Sequence, residues 1–117
     1  MDHPDCLFCK IIKGEINSTK VYEDENVIGF KDIYPQAEIH NLFIHKKHTK
    51  DIAEMLETDF SQIEDLMKAI SKYVSDNGYR SGEKAFRLVN NCGPGAGQTV
   101  FHTHIHFLSG KELGSFG

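Results

Sequence analysis

The chain has 117 residues, 39% hydrophobic and 26% charged, which suits one soluble globular domain over 1–117 that needs no staple to fold. A net charge of −4 argues against a general nucleic-acid binder, although a few local donors can still hold a small anion. No apolar run approaches the ~18 residues that span a bilayer, "MDHPDCLFCK" lacks a signal-peptide pattern, and an odd three cysteines point to a reducing compartment, so the expected location is cytoplasmic with no membrane association.

Residues 5–13, "DCLFCKIIK", predict a short helix that stops at Gly14, with Leu7, Phe8, Ile11 and Ile12 on one side. "KVYED" and "VIGFKDI" are strand-like runs joined at "EDEN", a hairpin signal. "EIHNLFIH", residues 38–45, predicts a third strand rich in β-branched and aromatic residues. A long helix is expected between Thr58 and Asp76, because Phe60, Ile63, Met67, Ile70 and Val74 recur at three- and four-residue steps. Thr58 is its expected N-cap and Asn77-Gly78 its left-handed stop. "AFRLVN" predicts a fourth strand, "NCGPGAGQ" a glycine-rich loop and "TVFHTHIHFL" a fifth strand. The expected fold class is α+β, an antiparallel sheet of about five strands with one long and one short helix.

The fifth strand carries "HTHIH". Alternate residues of a strand point to one face, so His102, His104 and His106 share a face, and Phe101, Thr103, Ile105 and Phe107 take the other. Same-face Cα atoms lie roughly 6.6 Å apart, whereas a zinc–nitrogen bond is roughly 2.0–2.1 Å. Two neighbours can converge on one ion but the outer pair would strain, so at least one imidazole has another task. Cys6 and Cys9 form a Cys-x-x-Cys pair, which suits either a tetrahedral metal or a redox dithiol. No strand precedes the pair, as a redox site normally requires. His40, His45, His48 and the histidine row are the available further ligands.

His-x-His-x-His with apolar or β-branched residues between, preceded by "GQ" and a threonine, resembles the motif of the histidine triad (HIT) superfamily. "LFCKIIKGEI", "VYEDENVIGFKDIYPQA" and "HNLFIHKKHTKDI" resemble the N-terminal half of that family in order and spacing, so the likeness covers nearly the whole chain. It is strongest to the Hint branch, small dimeric purine-nucleotide phosphoramidases, and implies a HIT-like fold and a homodimer.

The resemblance implies cleavage at the α-phosphate of a purine nucleotide (AMP- or GMP-like), with His104 as nucleophile and a nucleotidyl-histidine intermediate. Neutral imidazole suits this task, since its pKa near 6.5 leaves a free lone pair at pH 7. His106 would hydrogen-bond the phosphate or bridging atom, and His40 would orient the site from the neighbouring strand. Asp32 matches the ribose-binding acid, and Asn91, Gln98 and Thr99 match contacts to the phosphate and leaving group. Leu7, Phe8, Ile11, Phe30 and Ile33 match the apolar clamp on the base, positions that composition alone would assign to core. A structural zinc held by Cys6, Cys9, His48 and His102 is implied by bacterial relatives, and it frees His104 and His106 for phosphate chemistry. His45 stands where the family usually has proline, which puts a spare imidazole near the metal as a possible substitute for His48. The C-terminal "GKELGSFG" lacks the tryptophan–proline ending of Hint proteins, and Cys92 has no partner in this scheme.

Two enzyme readings share the same intermediate: a phosphoramidase and a dinucleoside polyphosphate hydrolase of the Fhit type. A non-catalytic nucleotide- or zinc-binding module and a metal-sequestering protein are the readings of other classes. The complete histidine row with Gln98 and Thr99 argues against a module, because binding alone needs no nucleophile.

Overall fold

The computed structural model describes residues 5–115. Residues 1–4 of the N-terminal reading and residues 116–117 of the C-terminal one lie outside that range. Five strands form one antiparallel sheet: β1 (Lys20–Glu23), β2 (Val27–Lys31), β3 (Ile39–His45), β4 (Phe86–Val89) and β5 (His104–Ser109), in the order β1-β2-β3-β5-β4. The β1–β2 turn is tied by Asp24, whose Oδ1 accepts from the backbone of Asn26 and Val27. Three helices accompany the sheet: α1 (Leu7–Ile12), α2 (Ile52–Thr58) and α3 (Ser61–Asn77). Among the described residues no helix is long and apolar enough to cross a membrane.

The pleat gives the sheet two distinct faces. Phe43, Ile105 and Phe107 pack with Leu66, Ile70 and Tyr73 of α3 in one apolar cluster. Ile28, Phe30, Leu42 and Ile44 point the other way and pack with Phe8 and Ile11 of α1. In the β3–β5 register Ile44 faces His104 and Leu42 faces His106, so both histidines belong to the α1 side.

Three expectations need correction. Thr58 does not cap the long helix; it ends α2, and α3 begins at Ser61 after Phe60. The additional helix α2 is capped by Asp51, whose side chain accepts from Glu54 N–H. The buried stripe of α3 is Gln62, Leu66, Ala69, Ile70 and Tyr73, while Phe60 and Met67 are 59% and 39% exposed. Apolar residues occupy two adjacent stripes of this helix, and the sheet selects the one that sets Tyr73 against Phe43 and Phe107. Finally, β5 starts at His104 rather than Thr99, because Thr103 N–H bonds to the Thr49 carbonyl instead of joining the ladder. The expected stop of the long helix is present, with Gly78 left-handed at φ 70°.

Candidate active site and metal centre

Two clusters of side chains meet where β5 begins. The first joins α1, the segment after β3 and the entry to β5. Cys6 Sγ and Cys9 Sγ lie 3.5 and 3.6 Å from His102 Nδ1, and Cys9 Sγ lies 3.4 Å from His48 Nδ1. The four ligand atoms of Cys6, Cys9, His48 and His102 all lie within 4.8 Å of one another and could hold a metal ion. His102 Nε2 is 2.8 Å from the His45 carbonyl, which can only accept, so Nε2 carries the proton and Nδ1 turns its lone pair to the thiols. Cys6 Sγ also accepts from Cys9 N–H at 3.3 Å, the contact that caps α1.

His45 does not join this cluster with its ring. Its Nε2 is 2.9 Å from Asp65 Oδ2 on α3 and its Nδ1 accepts from Lys47 N–H, and it is His48 whose ring stands with the cysteines and His102. What His45 supplies is its backbone carbonyl.

The second cluster continues along β5. His104 Nδ1–H donates to the His102 carbonyl at 2.8 Å, which leaves Nε2 unprotonated. His40 Nδ1 accepts from Gln36 N–H at 3.0 Å, so His40 carries its proton on Nε2 and donates it to His106 Nδ1 at 2.8 Å. His106 therefore bears its own proton on Nε2. Asp32 Oδ2 stands 3.5 Å from His40 Nε2. Asp32, His40 and His106 are also close enough to suggest a metal site. The backbone donor on His40 argues otherwise, because it leaves His40 Nε2 protonated and without a lone pair for an ion.

Burial is the first cause that holds His40, His102, His104 and His106 below the ordinary imidazole range, with His102 and His106 down to about 4. All four are neutral at pH 7. One fixed tautomer each follows from the bonds above: a lone pair on His104, a proton donor on His106.

His104 and His106 open into a cavity of about 320 Å³ between α1 and the sheet. Leu7, Phe8, Ile11, Phe30, Asp32, Ile33 and Thr99 also line it, so it gathers most of the residues singled out from the sequence. Phe8 sets its edge against the His104 ring, with centroids 5.2 Å apart. Ile33 is 80% exposed and forms the rim rather than the floor. His40 stands behind His106, outside the lining. Asn91 and Gln98 are not among the lining residues. Asn91 Nδ2 donates to the Ala96 carbonyl, and the buried Gln98 amide binds Gly93 N–H and the carbonyls of Lys50 and Val100. Both amides brace the glycine loop. Cys92, also in that loop, is exposed. Sequence reasoning missed Asn90, whose Nδ2 donates to the His104 carbonyl at 2.8 Å, and nothing local in "LVNN" signals it.

A family model described as scavenger mRNA decapping enzyme C-term binding matches residues 5–116. An uncharacterised HIT-like protein of Chlamydia muridarum is 44% identical over 109 residues, 93% of this chain and 84% of that protein. The chain belongs to the histidine triad family. Solved HIT structures share its fold: a HIT family hydrolase from Clostridium thermocellum at TM-score 0.87 and 46% identity, covering 97% of each chain. A histidine triad protein from Clostridium difficile superposes at TM-score 0.91 with 39% identity over 100% of each chain.

Proposed function

We propose that this HIT protein is a nucleotide hydrolase that cleaves purine nucleoside phosphoramidates at the α-phosphate through a nucleotidyl-histidine. The observation that carries the reading is the His104 ring, pinned at Nδ1 by the His102 carbonyl with its Nε2 lone pair free beside an apolar cavity. Nε2 attacks phosphorus and the bond to the leaving nitrogen breaks. Attack makes the ring cationic, so its Nδ1–H becomes a stronger donor and the carbonyl stabilises the charge as it forms. His106 Nε2–H hydrogen-bonds the phosphoryl or leaving atom, and the amine takes its proton from solvent. Water then splits the phosphorus–histidine bond and returns neutral His104 with the nucleoside monophosphate. Phe8, Phe30, Leu7, Ile11 and Ile33 enclose the base, and Asp32 accepts from the ribose hydroxyls. A HIT family hydrolase with the same fold supports the hydrolytic class.

Zinc fits the thiolate–imidazole cluster. Bond lengths of about 2.3 Å to sulfur and about 2.05 Å to nitrogen give a tetrahedral S···N edge of about 3.6 Å. Three of the four S···N separations are 3.4, 3.5 and 3.6 Å, and the fourth, between Cys6 and His48, is within 4.8 Å. Four protein ligands leave no position for water, so the ion's contribution is structural: it ties α1 to the start of β5.

The test is AMP release from adenosine 5′-phosphoramidate and from a diadenosine polyphosphate, for wild type and His104→Ala. Phosphoramidate turnover lost in the variant is the expected result. Preference for the dinucleotide would keep the nucleophile and move the leaving group. Activity in His104→Ala equal to wild type would end the reading.

A further inference from the structure

The peptide between His102 and Thr103 has both polar groups committed. Its C=O accepts from His104 Nδ1–H and its N–H donates to the Thr49 carbonyl, each at 2.8 Å. The β3–β5 register runs only to the Ile44–His104 pair, so the sheet ladder does not hold this peptide. Two buried threonines do. Thr49 and Thr103 are 4% and 1% exposed, and their hydroxyl oxygens are 2.7 Å apart. Thr103 Oγ1 donates to the Thr49 carbonyl at 3.2 Å, which makes the Thr49 hydroxyl the donor to Thr103 Oγ1. The pair thus satisfies itself without water and joins the segment after β3 to the entry of β5. It lies one residue along from His48 and His102, so two crosslinks, one of metal ligands and one of hydroxyls, run side by side.

We propose that Thr49 and Thr103 are positioning residues. Their hydroxyl clasp fixes the 102–103 peptide, whose carbonyl orients the His104 ring with Nε2 toward phosphorus. The inference rests on the reading of His104 as nucleophile. The strength of the pin matters because it is loaded during reaction: a carbonyl free to tilt would stabilise the cationic ring less and let the ring turn. Neither threonine lines the nucleotide cavity, so their loss acts on the chemical step rather than on binding.

The experiment compares metal-loaded wild type with Thr103→Val, Thr49→Val and Thr103→Ser, reading kcat and KM on adenosine 5′-phosphoramidate. It also follows the ¹⁵N-resolved His104 Nδ1–H proton by NMR, which needs no turnover. Each valine keeps the shape and removes one hydroxyl. Expected is a kcat lower by about tenfold or more with KM within about threefold, the scale on which small misplacements act. The His104 Nδ1–H signal should weaken or shift alongside, and Thr103→Ser should restore both. Wild-type kcat with an unaltered signal in the valine variants overturns the clasp, as does a lost kcat with an unaltered signal. Thr49→Val carries the test if Thr103→Val does not fold. If His104→Ala proves fully active, the nucleophile reading fails separately, and the signal still decides whether the clasp fixes the ring.

Discussion

Withholding metal from the proposed site of Cys6, Cys9, His48 and His102 should undock α1. The helix is 6 residues long, too short to persist alone in water. Ordering Leu7–Ile12 costs about 6 kcal/mol at about 1 kcal/mol per residue. Burying Phe8 and Ile11 returns about 5 kcal/mol at about 2.5 kcal/mol per side chain. The two nearly cancel, so an ion held at the proposed site by Cys6 and Cys9 would decide whether α1 stays on the sheet. An ion present at about a thousand times its dissociation constant contributes about 4 kcal/mol. For a chain of 117 residues that amounts to about 15 °C in Tm, at about 4 °C per kcal/mol. Scanning calorimetry with and without a strong chelator measures the first effect, and amide hydrogen exchange over residues 6–12 measures the second. Nucleotide affinity should fall in parallel, because Leu7, Phe8 and Ile11 form one wall of the cavity. A Tm within about 2 °C of the loaded protein, with α1 still protected, would refute the reasoning.

Two further outcomes follow from the imidazoles. His106 titrates at about 4 in the fold and near the ordinary 6.5 when unfolded, so between those values the unfolded chain binds a proton that the folded chain does not. Stability is then full above pH 6.5 and declines as pH falls toward 4; urea unfolding at pH 7, 6 and 5 should show the decline, less steep in His106→Gln, and a flat wild-type profile would contradict it. His106→Leu removes the Nε2–H donor and should lower kcat by about 10²-fold with a smaller change in KM, while His106→Gln keeps an N–H and retains part of the rate; equal rates for Leu and wild type would remove His106 from the chemistry.

The strands β2 and β3 were readable as β-branched and aromatic runs, and β5 by its alternation, which states which face each side chain takes. Ile105 and Phe107 in the α3 cluster, with His104 and His106 opposite, follow from that period alone. Helix phase was less readable. Of the expected stripe, Ile70 is buried and Ile63 and Val74 pack on the core, but Phe60 and Met67 turn outward because the aromatic rings of the sheet draw Leu66, Ala69 and Tyr73 inward. The start of α2 did leave a signal, Asp51 followed by Glu54 three residues on, a spacing that marks helix N-termini. His45, Asn91 and Gln98 show the limit of single positions. For Asn91 and Gln98 the resemblance implies a phosphate contact, and for His45 a spare ligand, while the bonds these side chains make to Asp65 and to backbone groups of the loop are set by tertiary placement. The tautomers of His40 and His102 were equally out of reach, since each depends on a backbone group supplied by the fold.

The sheet also acts as a partition. Phe43 and Phe107 on one side share no cluster with Ile44 and Leu42 on the other, although they alternate along the same strands. A substitution in α3 or beneath it is met by Tyr73, Leu66 and Met55, none of which lines the cavity beside His104. Substitutions on the α3 side can therefore change stability without altering the lining of the cavity beside His104. The residues that break this separation are those that reach around the sheet's end, and His45, bonded to α3 through Asp65 and to His102 through its carbonyl, is one of them.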